Sequence, residues 1–95
     1  LNKPIDIVIS DIAPNISGVR FIDDTNMIDL LEIELSIVDK TLVKGGSYLA
    51  KCFQGESLEF LKKEINKRFN FFKRIKPSAS RNSSNEIYLL GLDKI

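Results

Sequence analysis

The sequence predicts a single α/β domain with half of a doubly wound sheet, made of parallel strands with intervening helices and one terminal antiparallel strand. Two observations lead to this fold class. Short β-branched stretches alternate with longer segments of helical period, which is the order of a parallel sheet with crossover helices. The last two strands follow each other without a helix, as in a hairpin. With 95 residues, the chain has room for one such domain, residues 1–95.

The first half of the chain predicts a strand, a loop and a helix. The stretch IDIVIS (5–10) is short and β-branched, which is typical of a buried parallel strand. DIAPNISG (11–18) is a loop by its Pro, Asn and Gly content. From about residue 23 to residue 42 an apolar side chain recurs every three or four positions, so we expect a helix there. Its stripe consists of Met27, Leu31, Leu35, Val38 and Leu42. Gly45-Gly46 supplies the expected helix stop.

The second half predicts a strand, a helix and two closing strands. SYLAKCF (47–53) is the second strand, and a helix follows from about residue 57 to residue 69. That helix has an apolar stripe of Leu58, Leu61, Ile65 and Phe69. FFKRIK (71–76) and EIYLLGL (86–92) are the last strands, separated by the polar loop 78–85.

Composition excludes several classes of site. The chain has no histidine and one cysteine, Cys52, which excludes an internal disulfide, a zinc site and catalysis by Ser-His or Cys-His pairs. We therefore expect no metal. No apolar run approaches the roughly 18 residues that span a bilayer, so we expect no membrane partner. Cys52 itself is interpreted as core packing.

The charge is distributed unevenly, although the formal net charge is only +1. Residues 1–43 contain three Lys or Arg against eight Asp or Glu, whereas residues 44–95 contain eleven against five. A basic half indicates an anionic partner, and nucleic acid is the commonest. The alternative is a solvated helix face and strand without a partner.

A lysine interrupts the apolar strand SYLAKCF, and an aspartate follows the first strand. In doubly wound sheets ligands bind at the carboxyl ends of parallel strands, where Asp11 and Lys51 are expected. A buried lysine needs a carboxylate partner or a lowered pKa. Taken alone, Lys51 could be a snorkelling edge lysine, Asp11 a turn residue and Glu86 a strand-start carboxylate.

Three segments, DIVISDIAPNISGVR, LVKGGSYLAKCFQGE and KPSASRNSSNEIYLLG, resemble in order and spacing the C-terminal half of the FtsJ (RrmJ) family of S-adenosylmethionine-dependent RNA 2′-O-methyltransferases. The resemblance covers nearly the whole chain. It implies the C-terminal half of a Rossmann-like methyltransferase sheet. The family's first catalytic lysine and its glycine-rich cofactor loop would belong to an N-terminal half that is absent from these residues.

The resemblance also implies roles for individual residues. Of the family's Lys-Asp-Lys-Glu tetrad, Asp11 takes the aspartate position, Lys51 the second lysine and Glu86 the glutamate. Asp11 and Pro14 would border S-adenosylmethionine. A lysine in a dry site can orient a ribose 2′-hydroxyl or accept its proton, and by the family pattern Lys51 is the proton acceptor. Asn15 and Gly18 either shape the turn or lie near the substrate.

Basic residues of the second half are candidates for RNA contact through phosphates. The candidates are Lys62, Lys63, Lys67, Arg68, Lys73, Arg74, Lys76 and Arg81. Among them we favour Arg74, Lys76 and Arg81, together with Ser80, because the loop that contains Ser80 and Arg81 directly precedes Glu86.

The leading hypothesis is a methyltransferase that acts on large-subunit ribosomal RNA, with ribosomal RNA or the large ribosomal subunit as its partner. A transfer RNA methyltransferase of the same family, a non-catalytic RNA-binding fragment and a nucleotide-dependent oxidoreductase are the alternatives. We expect a monomer in the full-length protein and a cytoplasmic location, with an organelle or the nucleolus as alternatives. We expect residues 1–95 alone to be poorly stable and inactive, with strand 5–10 as an unpaired apolar edge.

Overall fold

The computed structural model describes residues 4–76 and 85–95. They form a four-stranded mixed sheet with two helices. The elements in chain order are β1 (Ile5–Ser10), α1 (Arg20–Thr41), β2 (Leu42–Phe53), α2 (Glu56–Arg68), β3 (Phe69–Ile75) and β4 (Glu86–Lys94). The predicted order of strands and helices is therefore confirmed, and the boundaries differ by a few residues.

The strand order in the sheet is β1-β2-β4-β3. Strands β1 and β2 are parallel, and β4 is antiparallel to both of its neighbours. The predicted antiparallel closing strand is confirmed, and it lies inside the sheet rather than at its edge. By inserting between β2 and β3, β4 brings its first residues beside the last residues of β2.

The core lies between the two helices and one face of the sheet. Both predicted stripes are buried: Met27, Leu31, Leu35, Val38 and Leu42 in the first, and Leu58, Leu61, Ile65 and Phe69 in the second. Tyr48, Ala50 and Cys52 alternate along β2 and are fully buried. Because strand side chains alternate between faces, the intervening Leu49 and Lys51 point to the face opposite the helices.

Helix α1 begins earlier than the sequence pattern indicates, and a hydrogen-bonded turn leads into it. The buried Asp23 carboxylate accepts hydrogen bonds from the Ser17 amide and the Ser17 hydroxyl, both at 2.8 Å, and from the Gly18 amide at 3.3 Å. These bonds fold residues 17 and 18 against the first turn. The helix starts at Arg20 rather than near residue 23.

The glycine pair does not end α1, contrary to our expectation. The helix ends at Thr41, and both glycines lie inside β2. The pairing of β1 with β2 is irregular here, since Ile5 pairs with Leu42 and Ile7 with Ser47. A Cβ atom on Gly46 would lie 2.9 Å from the Asp6 carbonyl oxygen. The pair thus permits a bulge in which the two backbones approach closely.

Strand β1 is not buried, which corrects the prediction of a buried strand. Ile5, Ile7 and Ile9 are 38%, 51% and 64% exposed, whereas Val8 packs against the core. In the described part of the chain β1 is an edge strand, and its isoleucine face is the one opposite the helices. Apolar composition identified the strand, but burial depends on neighbours that composition does not reveal.

Candidate active site

The carboxyl ends of β1 and β2 lie side by side at one edge of the sheet. The parallel register pairs Ser10 with Ala50, so the next residue of each strand, Asp11 and Lys51, falls at the same level. On the other side of β2, the antiparallel register pairs Phe53 with Glu86. Backbone pairing alone therefore brings the three predicted tetrad residues together.

The Lys51 ammonium occupies the centre of this cluster. Its Nζ lies 3.0 Å from Asp11 Oδ1 and 3.6 Å from Glu86 Oε2. The Lys51 side chain is only 13% exposed, compared with 65% for Asp11 and 43% for Glu86. Lys51 is thus not a solvated edge lysine, since β2 has a neighbour on each side and the ammonium is paired. The carboxylates border the solvent side, where a ligand has access.

The electrostatic balance keeps Lys51 protonated. Burial lowers the pKa of Lys51, but the hydrogen bond to Asp11 and the charges of Glu86 and Asp11 outweigh it, and the net pKa is raised. The pKa of Asp11 is lowered by its hydrogen bonds from Tyr88 and Lys51. In this arrangement the ammonium donates hydrogen bonds and the carboxylate accepts them.

Tyr88 belongs to the cluster, and the sequence reasoning missed it. Its hydroxyl donates a hydrogen bond of 2.5 Å to Asp11 Oδ1, and it pairs with Lys51 across β2 and β4. The hydrogen bond to Asp11 raises the pKa of Tyr88, so the phenol stays protonated. The signal was present in the sequence, because Tyr88 follows Glu86 by two positions and a strand places such residues on one face.

A hydrogen-bonded connection also fixes β1 from the opposite face of the sheet. The buried Glu34 carboxylate of α1 accepts hydrogen bonds of 2.6 Å from the Ser10 hydroxyl and from the Tyr48 hydroxyl. Burial and the neighbouring Glu34 raise the pKa of Tyr48, which remains a donor. Glu34 therefore ties the residue before Asp11 to the helix layer.

The loop between β1 and α1 contains the second predicted cofactor contact. Pro14 is half-buried in this loop, and Asn15 is exposed. Gly18 adopts a φ of +90°, which only glycine adopts readily, and its amide donates to Asp23. Gly18 thus shapes the turn, and Pro14 lies on the stretch that leads away from Asp11.

The predicted RNA-binding residues divide into two groups. Arg74 on β3 and Lys76 after it are exposed, and Lys76 Nζ donates a hydrogen bond of 2.8 Å to the Glu86 carbonyl oxygen. Ser80 and Arg81 fall outside the described residues. The basic strand end therefore lies close to the start of β4, at the same edge as the cluster.

Several basic residues of α2 are neutralised by acids of the same chain. Arg68 binds Asp39 at 2.7 Å and Glu64, one helical turn earlier, at 2.8 Å. Lys67 also pairs with Glu64, at 3.1 Å, and Lys62 lies 3.9 Å from Glu59. These pairs reduce the positive potential of α2, and Arg68 in particular joins the two helices.

A cavity of about 430 Å³ adjoins the cluster. Its lining includes Gly18, Arg20, Asp24, Phe53 and Glu86. The walls come from the β1–α1 loop, the first turns of α1 and the adjacent ends of β2 and β4. Because Glu86 belongs both to the cavity and to the cluster of Asp11, Lys51 and Glu86, a ligand that fills the cavity would lie beside that cluster.

Residues 4–76 and 85–95 contain no group of three or more Cys, Asp or Glu side chains arranged to hold a metal ion. None of the helices in this described part is long and apolar enough to cross a membrane.

Comparison with known proteins assigns a family. A sequence profile of the FtsJ-like methyltransferases matches residues 1–94. Over 90 residues the chain is 42% identical to the ribosomal RNA large subunit methyltransferase E of Coxiella burnetii (strain Dugway 5J108-111), covering 95% of this chain and 42% of that protein. The protein of the same name from Stenotrophomonas maltophilia (strain K279a) is 41% identical over 93 residues, with coverages of 98% and 44%. The chain thus spans less than half the length of these relatives.

Solved structures agree with this assignment. A crystal structure described as a ribosomal RNA methyltransferase from Plasmodium falciparum superimposes with a TM-score of 0.84 at 28% identity, over 98% of this chain and 48% of that chain. An alphavirus protein superimposes with a TM-score of 0.77 at 17% identity, over 97% of this chain and 14% of that chain. The second likeness shows a shared fold only.

Proposed function

The chain belongs to the FtsJ-like methyltransferase family, and we propose that the protein transfers a methyl group to a ribose 2′-hydroxyl of large-subunit ribosomal RNA. One observation carries this proposal: Lys51 Nζ lies between the carboxylates of Asp11 and Glu86 at the carboxyl ends of adjacent strands. The relatives named as large-subunit ribosomal RNA methyltransferases support the choice of substrate. We also propose that residues 1–95 are the C-terminal part of a single methyltransferase domain.

Lys51 is proposed as the residue that holds the ribose 2′-hydroxyl. An ammonium with a raised pKa is a donor, so it binds the hydroxyl oxygen and directs a lone pair toward the methyl group. The proton that the hydroxyl loses as the new O–CH3 bond forms would pass to water at the solvent-facing side of the cluster, beside Asp11 and Glu86. Acting as proton acceptor would require Lys51 to lose its proton first. A second cation close by would lower its pKa and favour that loss. The resemblance to the family implies such a lysine outside these residues.

Asp11 and Glu86 are proposed to fix the position of the Lys51 ammonium. Contacts at 3.0 and 3.6 Å from two strands restrict Nζ to a small region. Tyr88 in turn donates to the Asp11 oxygen that Lys51 also contacts, and so restricts the rotation of that carboxylate. Because methyl transfer needs in-line approach, positioning of this kind accounts for much of the rate.

The Asp11 carboxylate that follows β1 has the chemistry expected of a contact to S-adenosylmethionine. Asp11 presents a carboxylate whose side chain is 65% exposed, and a carboxylate attracts the positive sulfonium and amino groups of that cofactor. We propose that Asp11 and Pro14 border it, with the remaining contacts supplied from outside these residues. When bound, it would supply the methyl group.

RNA is proposed to approach along the basic strand end, with ribosomal RNA or the large ribosomal subunit as the partner. Arg74 and Lys76 are exposed there, and Ser80 and Arg81 follow in sequence. Contacts of this kind bind phosphates without reading bases, so affinity should fall steeply with salt. A cytoplasmic location and a monomeric full-length protein complete the proposal.

The proposal is tested with the complete natural protein, purified large ribosomal subunits and S-adenosylmethionine labelled in its methyl group. We expect labelled RNA in which one phosphodiester bond resists alkaline hydrolysis, because a methylated 2′-oxygen cannot attack the neighbouring phosphate. Label on a base instead of the ribose would refute the 2′-hydroxyl assignment. Binding of RNA without any label transfer would favour a non-catalytic RNA-binding protein.

A further inference from the structure

Asp24 is a largely buried carboxylate that is paired with Arg20 and makes no hydrogen bond within the described residues. Its side chain is only 7% exposed, and its nearest charged partner is the Arg20 guanidinium, with Nε at 4.0 Å. That distance is too long for a hydrogen bond. Within residues 4–76 and 85–95 no other group bonds to Asp24. No fully buried side-chain nitrogen or oxygen in the described residues lacks a hydrogen-bond partner, so the Asp24 oxygens reach the solvent of the adjoining cavity, where they can accept hydrogen bonds from a ligand.

The neighbouring Asp23 shows what a structural carboxylate looks like at this position. Asp23 accepts three hydrogen bonds from Ser17 and Gly18 and thereby fixes the turn that leads into α1. The pKa of Asp23 is lowered by these bonds. Since Asp23 already holds this turn, the fold does not need Asp24 for that purpose.

Asp24 faces the cavity that adjoins the tetrad cluster. The 430 Å³ cavity is lined by Asp24, Arg20 and Glu86, and Phe53 contributes a small apolar part of its wall. Asp24 and Arg20 also line a second cavity of about 330 Å³ near Gly55. The Asp24–Arg20 pair therefore separates two open spaces, one of which leads to Glu86 and hence to Lys51.

The position of Arg20 is built into the fold. Its Nη2 donates a hydrogen bond of 3.1 Å to the Gln54 carbonyl oxygen, after the end of β2. Gly55 adopts a φ of +124°, and a Cβ atom there would lie 2.8 Å from that same Nη2. Gln54 is in turn tied to β4, because its amide donates to the Asn85 carbonyl oxygen at 2.9 Å. Arg20 is thus held beside Asp24 by the turn that follows β2.

We propose that Asp24 and Arg20 together read the pairing edge of a keto nucleobase, uracil or guanine, in the RNA that the enzyme methylates. This inference rests on the proposed function and adds base selection to it. Such a base presents an N–H group next to a carbonyl oxygen. The Asp24 carboxylate accepts from the N–H, and the Arg20 guanidinium donates to the carbonyl. Adenine and cytosine present a ring nitrogen acceptor at the same place, which a carboxylate repels.

The charge of the cavity favours a base over a phosphate. Three carboxylates, Asp23, Asp24 and Glu86, line it against one guanidinium, Arg20. A phosphate would be repelled by this excess of negative charge, whereas a neutral base is not. RNA-binding proteins commonly bind splayed-out bases by stacking on an aromatic ring and hydrogen bonding to the pairing edge. The Asp24–Arg20 pair provides the hydrogen-bonding element, and Phe53, which is 4% exposed, contributes a small apolar part of the cavity wall.

The test uses the complete natural protein and four RNA substrates that differ only in the methylated nucleotide, U, G, A or C. For the wild type we expect kcat/KM to favour U or G over A and C by about a hundredfold or more, because a buried acceptor left facing an acceptor is costly. The U and G substrates distinguish the two keto bases from each other. Asp24→Asn should reduce the preference to about tenfold or less, because an amide can donate to the ring nitrogen of A or C.

Two further variants keep the result interpretable. Asp29→Asn removes the same charge from an exposed position on α1 and should leave the preference unchanged. Arg20 is exposed, so Arg20→Gln is expected to fold. It therefore gives a second measurement of the preference for U or G over A and C if Asp24→Asn does not fold. An unchanged preference in Asp24→Asn, or in Arg20→Gln if only that variant folds, would overturn the inference.

The inference can fail separately from the proposed function. A wild type that methylates all four RNAs equally would retain the methyltransferase and refute base reading by Asp24. If the wild type transfers no methyl group, the proposed function fails. The affinities of the wild type for the same four RNAs then test whether Asp24 reads the base. Equal affinities for U, G, A and C would then refute the inference, whereas tighter binding of U or G that Asp24→Asn abolishes would support it.

Discussion

Tyr88 and Lys51 contact the same oxygen of Asp11, from two strands that run antiparallel to each other. The Tyr88 hydroxyl lies 2.5 Å and Lys51 Nζ 3.0 Å from Asp11 Oδ1. One carboxylate oxygen therefore orders a phenol and an ammonium at the edge of the sheet.

Removal of the Tyr88 hydroxyl should slow catalysis without unfolding the protein. In Tyr88→Phe we expect kcat to fall about tenfold, since one charge-assisted hydrogen bond that positions Asp11 is lost. The pKa of Asp11 should rise, because the Tyr88 hydrogen bond is the largest influence that lowers it. Methyl-transfer kinetics and a carbon-13 NMR titration of the Asp11 carboxyl measure the two effects. A normal rate together with an unchanged Asp11 titration would contradict this role.

Tyr48→Phe is the matched change on the opposite face of the sheet, and it should affect stability instead. The buried Tyr48 hydroxyl donates to Glu34 at 2.6 Å. Its removal should lower the free energy of unfolding by about 1–3 kcal/mol, the usual range for losing a buried partner of a charged group. Denaturant unfolding of the complete protein measures the loss. We expect kcat well below the unfolding temperature to stay near the wild-type value, and a large fall in kcat would refute the division of roles.

Arg68→Met should destabilise the protein in a pH-dependent way. Arg68 joins Asp39 of α1 to Glu64 of α2, and we expect a loss of about 1–3 kcal/mol near neutral pH, between the values typical of exposed and buried pairs. The pKa of Asp39 and that of Glu64 are lowered chiefly by Arg68. Their contribution is therefore complete above the ordinary carboxyl pKa values and is lost as the pH falls through the lowered ones.

Urea unfolding of wild type and Arg68→Met at a series of pH values measures this linkage. The difference in stability should be constant from about pH 6 to pH 8 and should shrink below about pH 4. Lys67→Met provides the control, because Lys67 is 67% exposed and pairs only with Glu64, so its loss should stay below about 0.5 kcal/mol. A difference for Arg68→Met that persists undiminished in acid would show that packing, not charge, is responsible.

Gly55→Ala should disturb Arg20 as well as the backbone. The φ of +124° is unfavourable for alanine, and the added methyl group would meet the Arg20 guanidinium. We expect a loss of about 1–3 kcal/mol in the free energy of unfolding. Gly18→Ala is the matched control, because Gly18 also has a positive φ, of +90°, but no atom lies within 4 Å of its added Cβ. Equal losses in the free energy of unfolding for the two variants would contradict this expectation, because they would show that the Arg20 side chain moves away from the added methyl group without cost.

Much of the fold was predictable because its signals are local. A helical stripe is set by residues three or four positions apart, and strand alternation by residues two positions apart. The order of helices and strands follows from these two local patterns. The interior position of β4 was not predictable, since strand order depends on long-range pairing. The edge position of β1 was expected for these residues alone, but the exposure of Ile7 and Ile9 on the sheet face opposite the helices was missed.

The candidate site was predictable where a motif names the residue, and not where geometry alone recruits it. Asp11, Lys51 and Glu86 stand in recognisable segments, and the structure brings them together. Tyr88 enters through cross-strand register, and Asp24 through burial beside a cavity. The two-residue spacing from Glu86 indicated the strand face of Tyr88, but a sequence pattern records neither the register that brings it to Asp11 nor the burial of Asp24.

The central claim is that Lys51 orients the reacting hydroxyl, and one measurement tests it directly. Single-turnover methyl transfer to large ribosomal subunits should be compared between the complete natural protein and its Lys51→Met variant, with Lys40→Met as an exposed control. We predict a fall in rate of about 10²- to 10⁴-fold for Lys51→Met, with binding of S-adenosylmethionine retained and Lys40→Met unaffected. A Lys51→Met variant that transfers methyl at the wild-type rate would contradict the account.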